Sequence, residues 1–102
     1  MNKVYVLQES TGKNILPATK YGHIIVCLTP NVQITFDSQF ITDELLLKLA
    51  SFDSRNDYLL LMGDPAIIAI ASCIVGTLTK NHFKLLKWDR QEQTYIAIEV
   101  SI

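Results

Sequence analysis

The residues best placed to meet a ligand sit in two turns, Thr29-Pro30-Asn31 and Gly63-Asp64-Pro65. Each follows an apolar run that reads as a central strand. In open α/β sheets, small molecules bind outside the carboxyl ends of such strands, often near helix N-termini. Thr29, Asn31, Gly63, Asp64 and nearby backbone N–H groups could therefore read a nucleotide or another small polar molecule. Only one glycine is present here, so neither a P-loop nor a dinucleotide fingerprint exists. Asp64 would repel a phosphate, and its plainer role is to cap the helix that begins at Pro65.

A second set is basic and aromatic. From Lys80 to Arg90, four cations (Lys80, Lys84, Lys87, Arg90) stand against Asp89. Between Val32 and Asp64, six acids stand against Lys48 and Arg55. Lys84, Lys87 and Trp88 could stack on and neutralise single-stranded nucleic acid. A solvated strand whose tryptophan packs over a lysine stem explains the same residues. A surface polarised in this way equally suits a protein partner.

Catalytic and metal chemistry find little support. His23 and His82 are the only histidines, and no serine lies in a G-x-S-x-G context. Cys27 and Cys73 lie in the apolar runs HIIVCLT and AIIAIASCIVG, without C-x-x-C spacing, and read as small buried hydrophobes. Asp53, Arg55 and Asp57 read as solvated turn charges. No enzyme, metal or cofactor is indicated.

These residues need elements to position them. The 102 residues are 49% hydrophobic and 19% charged, with a net charge of -1. That composition excludes a disordered tail or an evident nucleic-acid coat and predicts one α/β domain over residues 1–102. Lys3 to Gln8 alternates as a strand, and Glu9 to Tyr21 reads as a long loop. His23 to Thr29 and Tyr58 to Met62 are apolar on both faces, as in central strands. Residues 31–40 are ambiguous, because Val32, Ile34 and Phe36 alternate with polar neighbours. Thr42, followed by Asp43 and Glu44, marks a helix start running to about Phe52. Pro65 to about Lys80 is a second helix, and Phe83–Trp88 and Thr94–Val100 form a terminal hairpin. The expected order is β-β-α-β-α-β-β: a mixed five-stranded sheet with two helices.

Two helical crossovers of one hand would leave one face of such a sheet bare. Either the strand order reverses and places one helix on each face, or a second chain covers the bare face. Ala66, Ala69, Cys73 and Gly76 form a stripe of small side chains on the second helix that permits close approach. A homodimer with Ala69, Cys73 and Gly76 at its interface is therefore the leading expectation. The most apolar stretch, Pro65 to Leu78, is shorter than the roughly 20 residues a bilayer needs. The start MNKVYVLQES lacks an apolar signal region. Both point to the cytoplasm.

DYLLLMGDPAIIAIASCIV and then FKLLKWDRQEQTYIAIEV pair an apolar strand and Gly-Asp-Pro turn with an Ala/Ile-rich helix and a hairpin. Over residues 57–100, and less clearly at KVYVLQES, the chain resembles small α/β proteins of bacteriophages. The shared motif is structural and carries no functional residue across. The resemblance implies an accessory protein working in the host cytoplasm. Its expected mode is binding a protein, a host protein included, as a non-enzymatic homodimer. Nucleotide binding at the 29–31 and 63–66 turns is the alternative, and single-strand binding through Lys84, Lys87 and Trp88 a third.

Overall fold

The computed structural model describes all residues, 1–102. Its elements are β1 (Lys3–Gln8), a 3₁₀ helix (Leu16–Lys20), β2 (His23–Leu28), α1 (Ile34–Leu49), β3 (Tyr58–Leu60), α2 (Pro65–Thr79), β4 (His82–Asp89) and β5 (Thr94–Ser101). The five strands form one sheet in the order β2-β1-β3-β4-β5, so His23–Leu28, expected as a central strand, is an edge, and Lys3–Gln8 takes a central place with both faces covered. β1 to β4 are parallel, and β5 returns antiparallel to β4. The expected mixed sheet with two helices and a terminal hairpin is what the chain forms.

Register sorts the side chains by face. Ile25, Tyr5, Leu59, Leu85 and Ile98 make one row across the sheet, and Val26, Val6, Leu60, Leu86 and Ala97 make the next. Consecutive residues on a strand point to opposite faces, so the two rows feed different cores. Tyr5 and Leu59 join Ile41, Leu45 and Leu49 of α1 and Ile67, Ala71 and Val75 of α2. Val6, Leu60 and Leu86 join Val4, Ala18, Met62 and Tyr95.

The strand order does reverse, but the two helices do not separate. The chain steps one way from β1 to β2 and the other way through β3 and β4. Right-handed connections then put α1 and α2 together on one face and the β1–β2 connection on the other. That connection, expected as a plain loop, contains the 3₁₀ helix, and its fully buried Ala18 closes the second core. Tyr21 and Tyr95 pin it in place. The Tyr21 hydroxyl donates to the Tyr95 carbonyl at 2.8 Å, and the Tyr95 hydroxyl donates to the Asn14 carbonyl at 2.9 Å. The chain therefore covers both central faces itself.

The first helix starts earlier than its sequence signal. Ile41, Leu45 and Leu49 fall on one buried helical stripe, and Ile34 packs against the same core ahead of it, which outweighs the alternation at 32–36. Asp37 breaks the helical geometry (φ -124°, ψ 33°), so Ile34–Phe36 forms a short turn before the main helix. Thr42 lies inside this helix and its hydroxyl donates to the Ser38 carbonyl, so it is no cap. The second helix matches its signals: the Asp64 carboxylate accepts from the Ala66 N–H at 2.8 Å, and Pro65 follows.

Candidate functional site

The carboxyl ends of β1 and β3, where the strand order reverses, are held by Gln8. This side chain is 6% exposed and lies between three segments. Its Nε2 donates to the carbonyls of Thr29 (3.3 Å) and Val32 (3.0 Å). Its Oε1 accepts from the Asp64 N–H at 2.9 Å. Gly63 makes the arrangement possible. Its φ is +115°, and a Cβ there would collide with the Cβ of Gln8. Only glycine tolerates both the conformation and the approach.

A shallow cleft of about 530 Å³ opens beside this knot, lined by residues that include Glu9, Thr11, Gln33, Gly63 and Asp64. Of the four residues expected to bind a small ligand, Gly63 and Asp64 line it. Thr29 contributes its carbonyl to Gln8 instead, and Asn31 is exposed outside the lining. Most of the start of α2 is already satisfied. The Asp64 N–H goes to Gln8, the Ala66 N–H to the Asp64 side chain and the Ile68 N–H to the Asp64 carbonyl. Little donor capacity remains there for an anion.

A second cleft, of about 440 Å³, lies on the 3₁₀ side of the same strand ends. Leu61, Met62 and Gly63 leave β3 along it, the Ser10–Asn14 loop bounds one side, and Trp88 and Tyr95 bound the other. The two rings meet edge-on, with centroids 5.0 Å apart. Burial raises the Tyr95 phenol above its ordinary pKa. Spacing offers no signal for this site: its parts come from three distant segments, the 10–14 loop, the end of β3 and the β4–β5 hairpin, and only the fold joins them.

The basic set does not converge. Lys84 and Trp88 share the 3₁₀ face of β4, while Lys87 lies on the helical face, paired with Ile96. The Lys84 ammonium donates to the Arg55 carbonyl at 2.7 Å and lies 4.4 Å from the centre of the Tyr58 ring. It is a structural tether rather than a free cation.

Along α2, Ala69 and Cys73 are exposed, whereas Gly76 is buried and faces Asn81, whose Oδ1 would lie 2.9 Å from an added Cβ. The small-residue stripe thus divides, two residues outward and one inward. Cys73 departs from its expected burial because the buried line of α2 is Ile67, Ala71 and Val75. Cys27 is buried as expected. Burial pushes its thiol up to about 11, against a weaker pull from Lys48.

Three further polar residues make contacts within the fold. Asp57, expected to be solvated, is 2% exposed. Its carboxylate accepts from the Lys3 N–H at 3.0 Å and the Asp53 N–H at 2.8 Å. Asp53 is fully exposed, and its carboxyl is held below the usual range, first by the Arg55 backbone N–H and next by the Asn56 side chain. His82 opens β4 rather than lying in a turn, and its ring meets the Ser101 hydroxyl at 3.0 Å. No group of three His, Cys, Asp or Glu side chains could hold a metal ion, and no helix is long and apolar enough to cross a membrane.

Two surfaces expose large apolar side chains. β5 is an edge strand whose Ile96 and Ile98 are 40% and 38% exposed. On α1, Phe36 (81%), Phe40 (57%) and Leu47 (73%) stand out into solvent.

Among known families, the chain matches the model of the phage Pam3 gp32-like protein over residues 2–102. No curated protein and no solved structure matches it. The chain belongs to the phage Pam3 gp32-like family, and the likeness to phage proteins read at residues 57–100 extends over nearly its whole length.

Proposed function

We propose that this member of the phage Pam3 gp32-like family is a non-enzymatic accessory protein that acts in the host cytoplasm by binding protein, as a homodimer. The observation that carries the reading is the β5 edge. Its eight residues, TYIAIEVS, contain no proline and one charge, Glu99. Natural edge strands are normally blunted by lysine, proline, bulges or a covering helix. β5 has only the single charge of Glu99, on the opposite face, and its apolar row on the helical face is left partly exposed. The other edge, β2, keeps Ile24, Ile25 and Val26 half-buried.

Antiparallel pairing of two β5 strands about a twofold axis is self-complementary. Pairing that keeps each face together requires a residue opposite another of the same parity. With Ala97 on the axis, Ile96 lies opposite the partner's Ile98, and Glu99 lies opposite the partner's Tyr95. The two Glu99 carboxylates face each other only in the register centred on Glu99, which their repulsion disfavours. This arrangement replaces the expected seam at Ala69, Cys73 and Gly76, since Gly76 is buried inside the protomer. It leaves Phe36, Phe40 and Leu47 of α1 as the surface for a host protein.

The test is the mass of the intact protein in solution, by light scattering behind a sizing column. A dimer that becomes a monomer in Ile98→Lys, with the helical circular dichroism unchanged, supports the reading. A wild-type monomer across the micromolar range overturns it. Nothing in the geometry favours nucleotide binding at the 29–31 and 63–66 turns, or strand binding through Lys84, Lys87 and Trp88.

A further inference from the structure

The cleft on the 3₁₀ face lies outside the dimer reading and has the composition of a small-molecule site. Its volume of about 440 Å³ is in the range of such sites, which run from roughly 300 to 1,000 Å³ and mix apolar walls with a few polar groups. Met62 forms apolar floor, and Trp88 and Tyr95 form an aromatic wall. The Tyr95 hydroxyl is engaged by the Asn14 carbonyl. Ser10 and Lys13 remain as polar side chains a guest would meet.

Position and charge select this cleft over its neighbour. Both lie at the carboxyl ends of the parallel strands, beside the β1/β3 reversal where α/β sheets present ligands. Glu9 and Asp64 line the neighbouring cleft, whereas Lys13 is the one charged residue lining this one. An anionic guest is therefore repelled on one side of Gly63 and attracted on the other. An aromatic face beside a single cation suits a planar ring that carries an anionic group.

We infer that this cleft binds a planar aromatic anion, with the ring against Trp88 and the anionic group at Lys13. Nucleoside monophosphates and flavin mononucleotide share that chemistry. Trp88 is the only tryptophan, so its emission reports on the cleft alone.

The experiment titrates the full chain with adenosine monophosphate, flavin mononucleotide and adenosine, reading Trp88 emission and, in parallel, heat by calorimetry. Saturable binding of either phosphate-bearing compound, stronger than that of adenosine, is the expected result, and the tighter of the two names the source. Lys13→Ala, in an exposed loop, should weaken that binding about tenfold or more through loss of a charge-assisted contact. Absence of saturable binding by either compound at low millimolar concentration overturns the inference. Equal affinity in Lys13→Ala, or equal binding of adenosine, overturns the anion contact on which it rests. A monomeric protein that still binds would sink the dimer reading and leave this site standing.

Discussion

The two ends of the parallel sheet are each closed by one buried polar side chain, and the two solve different problems. At the carboxyl end, Gln8 faces two carbonyls and one N–H, so it must donate and accept at once. At the amino end, Asp57 faces the N–H groups of Lys3 and Asp53, so it need only accept. The amide suits mixed partners and the carboxylate suits donors alone. The ends also differ in openness. Gln8 lines one large cleft and Gly63, which packs on it, lines both, whereas the cleft at the amino end of β4, lined by Ser54, His82 and Glu99 among others, is about 170 Å³. The open clefts, and with them the proposed ligand site, therefore lie at the amide end of the sheet.

The largest effect comes from attacking the knot through its glycine. Gly63→Ala places a methyl group in contact with Gln8 and forces a left-handed backbone on a residue with a side chain. Strain and overpacking together should cost roughly 3–5 kcal/mol, read as a lowered urea midpoint with unchanged slope. A variant within about 0.5 kcal/mol of the parent would mean that Gln8 yields freely and is no knot.

Asp57→Ala leaves two backbone N–H groups without their charged acceptor, at a cost of about 2–4 kcal/mol. Asp57→Asn keeps one acceptor oxygen and should lose less. Gln8→Glu should behave in the opposite sense, because its carboxylate would face the Thr29 and Val32 carbonyls with no proton to donate. It should destabilise at least as much as Gln8→Ala. Equal tolerance of Asp57→Asn and Gln8→Glu would erase the distinction between the two ends.

The third effect depends on pH and falls on the helical face of the sheet. Burial raises the Cys27 thiol from 9.0 to about 11 in the folded chain, so the folded state holds its proton where the unfolded state has released it. Stability should therefore be unaffected below pH 9 and fall as the pH rises from 9 to 11, by roughly 2–3 kcal/mol in all. Cys27→Ala should flatten that alkaline slope in a denaturation series. The same burial predicts that a thiol reagent at neutral pH labels exposed Cys73 at once and Cys27 only on unfolding.

How much of this was legible in the sequence depends on how local each signal is. KVYVLQ alternates in place, and Asp64-Pro65 caps its own helix, so β1 and the start of α2 are readable from a few neighbouring residues. The start of α1 is not. Its alternation at Val32, Ile34 and Phe36 mimics a strand, and the stripe that overrules it extends to Leu49. The 3₁₀ helix is short and apolar only at a few positions, so its role as the cover of a sheet face emerges only once the strand order is known. Gln8 and Asp57 look like ordinary polar residues at element ends. Their principal partners are up to 56 and 54 residues away, and no spacing rule reaches that far. Cys73 misled because α2 is apolar on nearly every face, and composition alone could not choose which one is buried.

The smallest effect separates helix capping from ligand binding at the carboxyl end. Asp64→Ala removes the oxygen that accepts from the Ala66 N–H, while the backbone N–H of residue 64 can still reach Gln8. Loss of the cap should cost roughly 1 kcal/mol, read as a small fall in the melting temperature. The same change removes a negative charge from the rim of the cleft that Glu9 shares. If Asp64 is a cap and no more, binding of adenosine monophosphate or flavin mononucleotide at the Trp88 cleft should survive in the folded variant. A modest tightening would fit the loss of a nearby anion. Abolished binding in a variant that remains folded would instead make Asp64 a ligand contact and move the site across Gly63 to the cleft that Glu9 lines. The two clefts share Ser10 and Gly63, so this exchange of one carboxylate tests which side of the glycine a guest occupies.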